Sequence, residues 1–350
     1  MKFLWRWVKR LVLLALLVVI GLLSPVAYVE TMCRSPVLAS AYIPILPEPD
    51  RRPEARTLLT YPEWHIVHAY ADYGEVIRTG SPADFNYLQS ISGFWTSLCA
   101  LSLAAGDHGG IDGPTKQMVY TIGVSFSAEL LLKAAYEETL GRIATLIRGP
   151  TRAPLDDLSA TQAADYATFL QQVPWYRWDF SRDAAALQSA ASNIFRDRER
   201  AFALGLEYRA KAAYAGVIAG AVAGMEPDAL TMRSIVTGIS AAALAQIPGV
   251  IVIADRAQGT EIDTPRYAAF TDLAKILAAQ GADFVEIAGN DDILYTEISD
   301  TPTIPGALHS FALQGNPGYR HLVLVKVTAL AEALRSDPGP NSGIEHIHDY

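Results

Sequence analysis

The chain has 350 residues, 51% of them apolar and 19% charged, and its 28 Lys and Arg stand against 37 Asp and Glu for a net charge of −9. That length accommodates about two domains and a core able to fold without metal or disulfide staples. The acidic balance argues against sequence-independent nucleic-acid binding, which draws its affinity from Lys and Arg neutralising phosphates. With two Cys, 25 Gly and 20 Pro, collagen-like, disulfide-rich and wholly disordered classes are excluded.

Charge is unevenly spread, because residues 1–30 carry +3 and the remainder −12. Residues 11–29 form an apolar run whose 19 positions span roughly 28 Å as a helix, close to the hydrocarbon thickness of a bilayer. Trp5 and Trp7 precede it at headgroup level. A cleaved signal peptide is the competing reading. It is disfavoured because a cut after Ala27 places Pro25 where a small residue is needed, and Ala39-Ser40-Ala41 lies too far downstream. Lys2, Arg6, Lys9 and Arg10 before the run, with Arg34 alone soon after it, predict a cytoplasmic N-terminus and an extracytoplasmic body, periplasmic if the source is a Gram-negative bacterium. Cys33 and Cys99 then face an oxidising compartment and can pair, although Cys99 in SLCALSLAA reads more readily as a free thiol packed as a small hydrophobe.

The expected organisation is an anchor over 1–30, a Pro-rich stalk or strap over 31–58, a helical domain over 59–246, a small α+β domain over 247–335 and a mobile tail over 336–350. Thr60-Tyr61-Pro62-Glu63 reads as a capping box opening a helix to Arg78, and Ser81-Pro82-Ala83-Asp84 caps the next. GDHGGIDGP (106–114) is a loop. Helices are expected at about 115–148, 159–172, 183–224 and 227–246. From Pro248 the period changes to strands at 250–254, 284–288, 293–298, 309–313 and 321–327, with helices at 263–281 and 328–335 and a hairpin turn at 289–292. The fold class is therefore mainly α, a multi-helix bundle body, followed by a small C-terminal α+β sandwich, ferredoxin-like in spirit, behind one transmembrane helix.

Four constellations bear on chemistry. His65, His68, Asp72 and Glu75 form one helical stripe, and two imidazoles beside carboxylates suit a divalent metal or a general base. The same stripe also reads as the solvated or partner-facing side of an amphipathic helix, since neither HExxH nor a second ExxH completes a metal set. Ser125, Glu129, Lys133 and Tyr136 share a face of an apolar helix, as a polar pocket or as an ordinary Glu129–Lys133 pair. Gly216, Gly220 and Gly224 step every four residues, a smooth surface for a packed helix or a partner. Arg196, Arg200, Glu207 and Lys211 follow the aromatic turn of Trp175, Tyr176 and Trp178, with interleaved acids that point to a salt-bridged solvated face. Asp291, Asp292, Glu297 and Asp300 lack EF-hand spacing and read as a turn, while His346 and His348 carry no assignment.

No P-loop, post-strand GxGxxG, CxxC pair, GxSxG or SxxK is present. The leading expectation is a single-pass protein acting through protein partners or self-association, as an accessory or scaffold subunit of a membrane assembly. Trp175, Trp178 and the glycine face are the contacts it would use. The alternative is a metal-dependent enzyme or small-ligand binder using His65, His68 and Asp72, with Glu75, Glu129 and Lys133 as further candidates. A ligand sensor built on the C-terminal strands is the third class.

Overall fold

A computed structural model describes the chain except residues 1, 39–40, 150–151, 223–229, 338 and 340–341. Helix α1 (Lys2–Met32) is solvent-exposed along its apolar run and is long and apolar enough to cross a membrane. Its last turn is different. Val29 and Cys33 are buried, and Cys33 is disulfide-bonded to Cys99.

The proline-rich segment that follows is a strap and not a free stalk, because it has buried anchors. Leu46 is fully buried, and Tyr42 Oη, Ile45 N and Leu46 N all donate to the carboxylate of Glu286 (2.6–2.8 Å). Arg52 N donates to the Ala288 carbonyl, and Asn290 Nδ2 donates to the Arg52 carbonyl.

The body is built from α2 (Arg56–Thr79), α3 (Tyr87–Ala104), α4 (Gly113–Tyr136), α5 (Arg142–Arg148), α6 (Pro154–Leu170), α7 (Phe180–Ala190) and α8 (Phe195–Val222). Helix α2 begins a turn before the expected capping box, so Pro62 lies inside it. The Ser81/Asp84 box closes a 3₁₀ turn, and Asn86 caps α3 through Gln89 N. The expected 115–148 helix is interrupted by a π-turn over Glu137–Gly141, and the expected 183–224 helix breaks between α7 and α8.

The chain over 230–350 departs most from expectation. Where a helix over 227–246 was expected, β1 (Thr231–Thr237) is followed only by the short α9 (Ala241–Leu244). The β-branched residues Thr231, Ile235, Val236 and Thr237 are the strand signal, and the surrounding alanines mask it. Then come β2 (Ile251–Arg256), β3 (Gly259–Pro265), α10 (Ala268–Ala279), β4 (Asp283–Ile287), β5 (Asp292–Ser299), β6 (Ala307–Ala312), β7 (Tyr319–Lys326), α11 (Val327–Arg335) and β8 (Gly343–His348). In place of one ferredoxin-like layer, these make two antiparallel four-stranded sheets, ordered β2-β3-β1-β4 and β6-β7-β5-β8. The expected hairpin at 289–292 is the corner where the chain passes from one sheet to the other, and Ala288 and Gly289 take positive φ there. The expected mobile tail is structured, since β8 pairs with β5 and Tyr350 is fully buried.

Helices α10 and α11 share one core with the inner faces of both sheets, through Phe270, Leu277, Val327 and Leu330 against Val236, Phe284, Ile293 and Ile347. The period of two sends alternate residues of the second sheet the other way. Leu294 of β5 and Leu322 of β7 join Leu58, Tyr61, Trp64 and Val67 of α2. The second sheet is thus buried on both faces, and α2 is the element that docks the two halves of the protein.

Candidate metal centre

The stripe His65, His68, Asp72 and Glu75 is not a solvated surface. It lies in the junction between α2, α3 and the second sheet, and His65 and His68 are 4% and 6% exposed. His65 donates from Nε2 to the Ser90 carbonyl (2.8 Å), and its Nδ1 accepts from the Tyr61 hydroxyl (3.2 Å). His68 Nε2 faces Glu345 Oε2 at 3.5 Å without a hydrogen bond, while Arg320 holds that carboxylate with two bonds of 2.5 and 2.7 Å. Trp64 stacks on His346 with ring centroids 3.4 Å apart, and His348 stands edge-on to Tyr61. Both ring nitrogens of the buried His348 are without a hydrogen-bond partner among the described residues.

Burial sets the protonation of this cluster. Desolvation pulls His65 down to about 4 and His348 to about 3, and it holds His68 and His346 well below the usual imidazole range. Desolvation also raises Asp72 to about 6, against the attraction of Arg320 and a bond from Gln314 N. Glu75 turns to Arg78. These imidazoles are neutral packing groups. Among the described residues, they do not converge on one metal-sized point.

Glu129 and Lys133 do not pair with each other. Lys133 Nζ reaches Glu207 (3.3 Å), and Glu129 takes Lys211 (2.7 Å) and the Tyr70 hydroxyl. Ser125 is exposed and stands apart. The space these charges enclose, about 20 Å³, suits a single water. Arg196 and Arg200, expected on a solvated face, are each 1% exposed. Arg196 binds Asp156 and Glu199, and Arg200 binds Glu137 and Glu199. Trp175 and Trp178 are half-buried in an aromatic cluster around Phe180, and Trp178 donates to Asp183. Gly216 and Gly220 face open space, so none of the described helices packs there, and Gly224 lies outside the described residues.

The groups that do converge come from the ends of three elements. Glu54 stands at the entry to α2, His108 in the loop leaving α3, and Asp292 at the start of β5. His108 Nδ1 is 3.7 Å from Glu54 Oε2 and 3.6 Å from Asp292 Oδ2, and the three side chains are 8–13% exposed. These separations exceed hydrogen-bond length. They match the edge of a tetrahedron with metal–ligand bonds near 2.1 Å, which is about 3.4 Å. The facing carboxylates, Glu54 foremost, hold the His108 imidazole above its ordinary range. Asp291 lies alongside, and Lys326 bridges Asp291 and Asp292 at 2.9 and 2.7 Å from an otherwise exposed stem.

A cleft of about 270 Å³ opens beside the triad, lined by Tyr42, His108, Gly109, Gly110 and Asn290. Gly109 and Gly110 take φ of +83° and +74°, and a Cβ at Gly110 would meet Val37 at 2.9 Å, so the loop needs glycine to lie under the strap. Sequence reasoning missed Glu54 and His108, and it read Asp292 as a turn residue. The available signal was a histidine enclosed by glycines in GDHGG. No protein-family model, curated protein or solved structure matches the chain.

Proposed function

We propose that this is a single-pass membrane protein with a cytoplasmic N-terminus, whose extracytoplasmic body holds a divalent metal ion between Glu54, His108 and Asp292. The observation that carries the reading is the convergence of one imidazole and two carboxylates, from three separate elements, beside an open cleft. A mixed N/O donor set suits Zn²⁺ or Mn²⁺. Three protein ligands with an open position is the arrangement of catalytic rather than structural sites. The metal would act as a Lewis acid toward a small ligand in the cleft. The buried disulfide and the positive flank of α1 support the orientation.

Elemental analysis of the full chain, purified without chelator, should find about one equivalent of metal. His108→Ala and Asp292→Asn should each weaken binding by at least tenfold. A metal-free wild type that takes up neither Zn²⁺ nor Mn²⁺ in titration sinks the reading. The second reading, an accessory subunit of a membrane assembly, is favoured by the open glycine face of α8. A stoichiometric protein partner in native mass spectrometry of the gently extracted chain would support it.

A further inference from the structure

Large apolar side chains are exposed at one end of the helical body. On α4, the π-turn and α5 these are Leu132, Leu140, Ile143, Leu146 and Ile147, with Leu146 81% exposed. On α8, Phe202 is 68% exposed and shares a face with the exposed Phe195 and Leu206. Helix α5 packs on α8, and Arg200 of α8 binds Glu137 of the π-turn, so the two sets lie on one end of the bundle. A surface of this kind on a soluble face is a liability unless something covers it.

The anchor shows which way this end points. After Cys33 the chain runs outward along the end of α3, with Ser35 against Gly106, Val37 against Gly110, and Leu38 N bonded to the Gly106 carbonyl. The α3–α4 loop is therefore on the far side of the anchor's last turn. Helix α4 starts from that loop and comes back past Glu30, where Tyr120 Oη (2.8 Å) and Lys116 Nζ (3.3 Å) meet its carboxylate. Every apolar residue named on α4, the π-turn and α5 lies 12 to 27 positions beyond Tyr120, past the point where α4 meets the end of the anchor. The exposed Glu138 and Arg142, paired with each other, fit a helix lying at headgroup level better than one crossing the bilayer.

We propose that the α4–α5 and α8 end of the body is a lipid-docking surface, seated in the outer headgroup and acyl boundary of the same membrane that α1 crosses. The docking fixes the body on the bilayer at two places, the anchor and this end. It rests on α1 lying in the bilayer and is independent of the metal centre.

The full chain, its disulfide intact, is reconstituted into phosphatidylcholine–phosphatidylglycerol vesicles. Cys33 and Cys99 are paired with each other and there are no free cysteines, so single introduced cysteines take an environment-sensitive fluorophore uniquely. Labels at Leu146→Cys and Phe202→Cys should be quenched several-fold more by spin-labelled acyl chains than one at Glu332→Cys on α11. A Val18→Cys label reports on the anchor separately. Quenching at 18 with only the Glu332→Cys level at 146 and 202 overturns the docking and leaves the anchor standing. Protection at 146 and 202 from both lipid and aqueous quenchers also overturns it, assigning the face to a second copy of the chain. All four positions are exposed, and circular dichroism matching the wild type confirms that each variant is folded.

Discussion

At the scale of single residues, the bundle is sensitive where a backbone approaches a ring or a charge has no water to fall back on. A Cβ at Gly123 would lie 2.3 Å from Phe94 Cε1 and 3.0 Å from Trp95, both buried. Gly123→Ala should therefore destabilise the protein by about 1–3 kcal/mol, despite the helix propensity of alanine, as read from denaturant unfolding. An unchanged midpoint would show that the α3–α4 contact has slack. Arg200→Met leaves Glu137, 2% exposed, without its guanidinium. Breaking one partner of such a pair costs about 3–5 kcal/mol, and Glu137→Gln in the same chain should restore part of it. The pattern of charges on α8 was visible in the sequence, but burial was not, because interleaved acids and bases look the same on a solvated face and in a closed network.

At the scale of elements, α2 joins the helical body to the second sheet. It presents Tyr61, Trp64 and His68 to β8, which adds His346 and His348, while His65 packs between α3 and Phe311 of β6, with Arg320, Glu345, Asp72 and His309 around them. An unfolded imidazole takes its proton near pH 6.5, whereas folded His65 and His348 resist until about 4 and about 3. Their contribution is complete above pH 6.5 and is lost as pH falls, by up to about 1.4 kcal/mol per unit for each histidine. Asp72 opposes one of them, because its raised folded value favours proton uptake in the native state below about 6. The net expectation is that α2 and the second sheet separate on acidification from pH 6.5 to 5, with hydrogen exchange rising first in β8. Exchange in β8 that stays flat to pH 4.5 would show that the imidazoles are not the weak point. The amphipathic period of α2 was legible, and so were the strands that follow Pro248. The pairing of α2's polar stripe with a strand 280 residues downstream was not, since local pattern carries no information about which distant surface covers a face. For the same reason the helical stripe drew attention away from Glu54 and His108, which sit in irregular chain and converge only once three elements meet.

At the scale of the whole molecule, the disulfide ties the membrane segment to the body across a separation of 66 residues. A crosslink closing a loop of that length is worth about 4 kcal/mol in the chain-entropy account. Cys99→Ser should lower the unfolding midpoint of the body accordingly. It should also free the α1–α3 contact, detectable as protease access near Cys33. Resistance equal to the wild type would mean that Val29 and Glu30 hold the anchor without the bond. An apolar N-terminal helix, a helical body and a strand-rich C-terminal part could be read from composition and period, whereas the division of the strands into two sheets could not. The interleaving of the parts could not, because it depends on the strap reaching Glu286 and on β8 returning to α2.

That return has a consequence for how the chain is made. Residues 56–79 are synthesised long before residues 343–348, yet β8, which packs on Tyr61, Trp64 and His68 of that helix, is the last strand to be formed. During that interval Trp64 and His68 of α2 and the β8-side edge of β5 lack their native partner, and contacts so distant in sequence close slowly. Vectorial synthesis thus leaves a long-lived, sticky intermediate, and an early chaperone-bound stage should persist until the final strand arrives.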